Sequence, residues 1–140
     1  VQARLDEEYV PDVSQRLVLY KRLSSARQDE DIDRIRDEIL DRYGVMPAEG
    51  ENLLQVIRLK LRARKLGIAE LRLQQGEFML QVAESSQIDP QRLVQILTHA
   101  DSKMRVTPDH RIFAPAPGPE GGAPALFDAA HALLKRLGRD

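Results

Sequence analysis

An α+β fold follows from three features of this 140-residue chain. The first half carries apolar residues at helical spacing. The second half switches to strict alternation around short turn-forming pairs, and a further helical stripe closes the chain. The expected order is an N-terminal half of three helices, then short antiparallel β-hairpins alternating with helices, then a C-terminal helix.

In the first helix Asp12 or Ser14 is the expected cap, and Val13, Leu17, Tyr20 and Leu23 form the apolar stripe. Asp29 or Asp31 opens the second helix, with acids in the first turn, where the helix dipole favours them. Its Ile32, Ile35, Ile39 and Tyr43 make one stripe, Gly44 caps its end, and Pro47 starts the next helix. The third helix, about 48–66, has two stripes: Leu54, Ile57 and Leu61 on one side, Val56, Leu59, Ala63 and Leu66 on the other. Such a helix is expected between two layers, ending at Gly67. Ile68, Leu71 and Leu73, then Phe78, Leu80 and Val82, flank Gly76 as a hairpin. Asp89-Pro90 opens a helix through Leu93, Ile96 and Leu97 to about Ala100. Met104 and Val106, a turn at Pro108-Asp109-His110, and Ile112 read as a shorter hairpin. Residues 114–124 are a Pro/Gly linker without core residues. The last helix, about 124–138, is built on Leu126, Phe127, Ala130, Leu133, Leu134 and Leu137.

The length and the 15.9 kDa mass suit one domain over 1–140. The start at Val1 without Met suggests a fragment of a larger multidomain protein. A hydrophobic fraction of 42% and a charged fraction of 31% exclude a disordered tail. No apolar run is long enough to span a bilayer. The absence of cysteine excludes disulfides, Cys-ligated zinc, iron–sulfur clusters and thiol catalysis, and fits a reducing, cytoplasmic setting. Twenty-one basic against 22 acidic residues give a net charge of −1, which disfavours a globally basic nucleic-acid clamp.

Charge is polarised locally. Residues 28–41 hold seven acids (Asp29, Glu30, Asp31, Asp33, Asp37, Glu38, Asp41) against Arg34 and Arg36, a local −5. Residues 58–66 hold Arg58, Lys60, Arg62, Arg64 and Lys65 without an acid, a local +5. These runs are either solvated faces that partly neutralise each other or an acidic and a basic docking face. Glu38 and Asp41, at i and i+3, are neighbours on the solvent side of the second helix, with Asp37 and Glu30 close by. As adjacent like charges they repel slightly, and an arginine on a partner can bridge both. Arg58, Arg62 and Lys65 share one gap between the apolar stripes of the third helix and form a secondary candidate surface.

Catalytic patterns are missing. There is no phosphate loop with Lys-Ser/Thr and no Gly-x-Gly-x-x-Gly after a strand. His99, His110 and His131 stand alone without metal-ligand spacing, and Ser24, Ser25, Ser85 and Ser86 have no base nearby in sequence. The paired carboxylates lie on an open face, where nothing pushes their pKa values apart. No pair of strand aromatics is flanked by basic residues. Catalytic, metal and cofactor sites are therefore expected to be absent from this domain, and the isolated domain is expected to be a monomer.

Tyr9-Val10-Pro11-Asp12-Val13, Arg16-Leu17 and Leu19-Tyr20-Lys21-Arg22-Leu23-Ser24-Ser25-Ala26 resemble the opening of the C-terminal domain of bacterial transcription-repair coupling factors (TRCF, or Mfd). The resemblance continues through Glu38-Ile39-Leu40-Asp41-Arg42-Tyr43-Gly44, Pro47, Leu53-Leu54, Arg62 and Lys65-Leu66-Gly67-Ile68, covering about residues 5–70. It implies a parent protein in the bacterial cytoplasm. That parent would be an ATP-dependent DNA translocase, with ATP and Mg in its motor domains, that displaces stalled RNA polymerase and recruits UvrA through a UvrB-like module. It further implies that this domain docks on that module, masks UvrA binding and restrains the motor, with Glu38, Asp41, Asp37 and Glu30 as the expected docking residues. Two other classes stand beside it. An accessory nucleic-acid-binding module would use the basic stripe of the third helix and lose binding steeply with salt. A stand-alone enzyme would show a deep apolar pocket with converging polar groups.

Overall fold

A computed structural model describes residues 2–84, 88, 90–99 and 103–138. The expected helix cap Asp89, the helix end at Ala100, and Ser85 and Ser86 lie outside the described residues. The chain, read above as one domain, divides into two compact units, Val1–Leu61 and Arg62–Asp140.

The first unit contains α1 (Val13–Ser24), α2 (Asp29–Tyr43) and most of α3 (Ala48–Lys65), which ends in the second unit. Asp12 caps α1: its Oδ1 accepts the N–H groups of Ser14 and Gln15 at 2.8 and 3.3 Å. The N-cap position of α2 is Gln28, which makes no side-chain cap. Asp31 instead reaches back and accepts the Arg27 N–H at 3.0 Å, a bond that holds its carboxyl below the ordinary aspartate range. Gly44 ends α2 at φ 86°, its N–H bonded to the Leu40 carbonyl at 2.9 Å.

The core of this unit is a cluster that includes Leu19 and Leu23 of α1, Ile32, Ile35 and Ile39 of α2, and Leu53, Leu54 and Leu61 of α3. Leu5, Val10, Ala26 and Met46 complete it. The lead-in segment before α1 is threaded onto this cluster by polar bonds. The Arg4 N–H donates to the Glu49 carbonyl at 3.0 Å, and the Leu5 N–H donates to the Tyr20 hydroxyl at 2.8 Å. The Tyr9 hydroxyl donates to the Gly44 carbonyl at 2.6 Å, and Arg16 donates to the carbonyls of Val10 and Pro11.

In α1 the buried face differs from the expected stripe. Leu19 and Leu23 are buried and Tyr20 is half-buried, whereas Val13 and Leu17 are exposed. Residues 17–19 are all aliphatic, so two stripes ending at Leu23 satisfy helical spacing. The bonds of Arg16 and Tyr20 to the lead-in segment select the one that runs through Leu19.

The second unit holds a four-stranded antiparallel sheet, order β1-β2-β4-β3. Its strands are β1 (Ile68–Gln74), β2 (Glu77–Val82), β3 (Arg105–Val106) and β4 (Arg111–Pro115). The helices of this unit are α4 (Pro90–Thr98) and α5 (Gly122–Leu137). Gln75 and Gly76, at φ 52° and 77°, form the two-residue turn between β1 and β2, the positive-φ geometry that matches strand twist. Leu73 pairs with Phe78, which pairs with Ala114; Leu71 pairs with Leu80, which pairs with Ile112. Phe78, Leu80, Ile112 and Ala114 are buried, and so are Phe127, Ala130, Leu133, Leu134 and Leu137 of α5. Met79, on the opposite face of β2, is buried as well, so this strand is covered on both sides.

The expected linker over 114–124 is largely structured. Ala114 is buried in β4, and the Ala116 N–H bonds the Gly76 carbonyl at 2.9 Å. Pro119–Gly121 is a 3-10 turn, and α5 starts at Gly122, two residues before the expected 124. Pro124 fits there because the N–H groups of a helix's first turn have no intrahelical partner.

A Cβ at Gly76 meets no atom within 4 Å, so substitution there tests backbone conformation alone. Gly76→Ala is expected to destabilise by about 1 kcal/mol, lowering the melting temperature by roughly 3–5 °C. Gly76→Asn, which tolerates positive φ better, should cost less. Equal melting temperatures for wild type and both variants would count against this turn.

Candidate docking surface

The surface that sequence reasoning singled out is the water-facing side of α2. Burying Ile32, Ile35 and Ile39 turns the seven acids of the run outward or to the flanks. Neighbouring helices then supply cations to some of them. Arg58 of α3, only 20% exposed, sits between Asp29 and Asp33; it lies 3.3 Å from Asp29 Oδ1 and bonds Asp33 Oδ1 directly. Arg36 of α2 donates in return to Glu51 of α3 at 2.7 and 3.4 Å. Arg22 of α1 donates to Glu38 Oε2 at 2.5 Å.

Glu38 is therefore already engaged within the domain. Its cation comes from another helix, 16 positions away, where no i, i+4 rule looks. Among the described residues Glu30, Asp37 and Asp41 are exposed and make no hydrogen bond or ion pair. The acids thus divide along the helix. Near the N-terminus, at the positive end of the helix dipole, Asp29 and Asp33 have Arg58 and Asp31 has Arg34 at 3.8 Å, whereas Asp41 lies in the last turn, at the negative end. A carboxylate there gains most from an added cation. Glu38 and Asp41 stand one turn apart, so a single guanidinium can address both.

The basic stripe is less available. Arg58 is committed to α2. Arg62 lies 2.9 Å from His131 Nδ1 of α5, a contact that requires an unprotonated Nδ1. Lys65 is exposed. The two charge runs neutralise each other in part, and a phosphate-binding use of the stripe loses its middle cation. His131 is a half-buried helix residue, and His99 is exposed just past the end of α4 at Thr98, short of the expected helix end near Ala100. His110 occupies the β3–β4 turn at φ 63°. Among the described residues no cluster of His, Cys, Asp and Glu is arranged to hold a metal ion, and no helix is long and apolar enough to cross a membrane. Sequence reasoning missed Arg22, the Arg36–Glu51 pair, and the exposure of Val13, Leu17 and Val18 on α1.

The Arg22 guanidinium holds the Glu38 carboxyl below the usual glutamate range. The unfolded chain then binds this proton at a higher pH than the folded one. The pair's stabilisation is complete above the ordinary glutamate value of about 4.3 and is lost as pH falls through the lower folded value. Glu38→Gln should accordingly flatten the decline of melting temperature below about pH 4.3 and leave the slope above pH ~6 unchanged. Identical acid limbs for wild type and variant would exclude the pair from the folded state in solution.

Three comparisons bear on this surface. The family model described as the TRCF domain matches residues 1–93, which include α1, α2 and α3. The chain is similar to the transcription-repair-coupling factor of Escherichia coli (strain K12), 34% identical over 93 residues, covering 66% of this chain and 8% of that protein. It is also similar to the transcription-repair-coupling factor of Myxococcus xanthus, 30% identical over 131 residues, covering 94% of this chain and 11% of that protein. The chain thus spans about a tenth of the length of the curated relatives it matches. A crystal structure of the C-terminal domain of a transcription-repair coupling factor superposes with a TM-score of 0.74 at 15% identity, covering 98% of this chain and 89% of that one. This last likeness establishes a shared α+β fold.

Proposed function

The chain belongs to the TRCF domain family, and from that membership we propose that it is an autoinhibitory interaction domain without catalysis of its own. It docks on a UvrB-like module of its own polypeptide, covers the surface that recruits UvrA and restrains an ATP-driven DNA translocase. ATP and Mg belong to that motor, and contact with RNA polymerase is made through other parts of the parent protein.

The observation that carries this reading is the exposed carboxylate set at the C-terminal end of α2. Asp41 has no partner among the described residues, Asp37 is beside it, and Glu38 is half-engaged by Arg22. All three fall inside the family-matched region. Such a set at the negative end of a helix favours an external cation, and an exposed, salt-sensitive contact of this kind can be broken when the restraint has to be lifted.

The test is the double substitution Glu38→Ala, Asp41→Ala in the full-length protein. ATPase activity and UvrA binding should both rise, and the melting temperature should stay within about 2 °C, because exposed pairs contribute little to folding. If removal of the whole domain raises both readouts while the double variant leaves them at wild-type level, docking uses another face.

A further inference from the structure

We propose that the exposed side of α1 is the apolar half of the same docking face, with Leu17 and Val18 as its contacts and Lys21 as its outer charge. This inference rests on the docking reading above and extends it from α2 to α1.

Among the described residues α1 leaves Val13, Leu17 and Val18 exposed by 58%, 63% and 50%. Three large aliphatics on the outside of one 12-residue helix are more than scattered surface apolarity, and a cluster of this kind marks a contact surface. At about 100° per residue, with Val13 at zero, Leu17 falls near 40°, Lys21 near 80°, Val18 near 140° and Arg22 near 180°. Lys21 therefore lies between the two aliphatics, one turn further along the helix.

The position of this strip is fixed by two bonds to α2. Arg22 reaches Glu38 at 2.5 Å, and Arg42 donates to Gln15 at 3.5 Å. At the same roughly 100° per residue, Val18 lies about 40° round α1 from Arg22, while on α2 Glu38 and Arg42 lie about 40° apart and Asp41 about 60° beyond Glu38 toward water. Val18 thus borders the seam on the α1 side, and the carboxylates border it on the α2 side. Across the two helices the surface reads carboxylates, then Arg22, then aliphatics with Lys21 among them.

Charge complementarity defines the occupant. α1 contains Arg16, Lys21 and Arg22 and no acid. Arg16 is spent on the carbonyls of Val10 and Pro11, and Arg22 is spent on Glu38. Lys21 is exposed and has no ion pair among the described residues. The matching partner is a protein surface that offers a cation to Glu38 and Asp41 and, beyond Arg22, an aliphatic recess to Val18 and Leu17 with a carboxylate set between them for Lys21. A carboxylate pair on α2 and a lysine amid the aliphatics of α1 place opposite charges on the two halves of the face, which admits one orientation and rejects its reverse. The curated relatives keep about nine-tenths of their length outside the matched region. A partner surface within the same polypeptide engages at high effective concentration, so a strip this small suffices.

The test compares two variants of the full-length protein, Leu17→Gln with Val18→Gln, and Glu38→Ala with Asp41→Ala. Glutamine is a good helix former, and both α1 positions are exposed, so α1 should keep its helix and the melting temperature should not move. Docking is read as amide hydrogen-exchange protection of residues 13–24 and as ATPase activity. The α1 variant is expected to weaken docking about tenfold, lowering protection and raising ATPase as the α2 variant does. Lys21→Glu should act in the same direction. An α2 variant that opens the protein while the α1 variant behaves as wild type overturns the inference and leaves the docking reading standing. Wild-type behaviour of both variants overturns the two together. A response of the α1 variant alone supports the α1 contact and removes Glu38 and Asp41 from it.

Discussion

The first unit depends on one constraint: α2 must bury Ile32, Ile35 and Ile39 while keeping seven carboxylates in water. Only one orientation of the helix satisfies both demands. It turns one flank of α2 toward α1, where Arg22 meets Glu38, and the other toward α3, where Arg58 meets Asp29 and Asp33 and Glu51 meets Arg36. Each neighbour brings a charge that α2 lacks at that point. The ion pairs are too exposed to hold the unit together; the apolar stripe does that, and the pairs set which neighbour lies on which side.

The same arrangement produces the candidate surface. Arg58 answers Asp29 and Asp33 at the positive end of the helix dipole, and at the negative end Arg22 reaches Glu38 but leaves Asp37 and Asp41 facing water. A uniformly acidic stretch of sequence becomes an asymmetric face whose reactive end is Asp37, Glu38 and Asp41. Because Arg22 already occupies one oxygen of Glu38, an incoming cation would share that carboxylate and find Asp41 unengaged.

Features set by local chemistry could be read from residue order. The α2 stripe, the Gly44 cap, the turn at Gly76 and the apolar face of α5 each follow from spacing or from a residue with unusual backbone freedom. Features decided by partners distant in the chain could not. Three consecutive aliphatics in α1 allow two buried faces, and the choice lies with Arg16 and Tyr20 bonding to residues 5–11. The Pro/Gly composition of 114–124 hides a strand end because Ala114 is held by its partner Phe78 across the ladder, a restraint that composition does not record. In the candidate site the carboxylates were visible from spacing, but the cation on Glu38 was not, since Arg22 and Glu38 belong to different helices. The exposure of Val13 and Leu17, which spacing assigns to the core stripe, is hidden from the sequence for the same reason.

The threading of the lead-in segment has a consequence for the order of assembly. Leu5 and Val10 are buried, yet the groups that hold this segment are the Tyr20 hydroxyl and the carbonyls of Gly44 and Glu49. Tyr20 and Arg16 lie on α1 itself, but the Gly44 and Glu49 carbonyls come into place only once α2 and the start of α3 have joined it. Closing the 35-residue separation between Tyr9 and Gly44 before that would cost chain entropy with nothing to bind. The segment is therefore expected to complete its docking after the folding transition state. Substitutions such as Tyr9→Phe should accelerate unfolding and leave the refolding rate nearly unchanged. The lead-in segment then acts as a latch on the lifetime of the assembled helices, not as part of the nucleus that forms them.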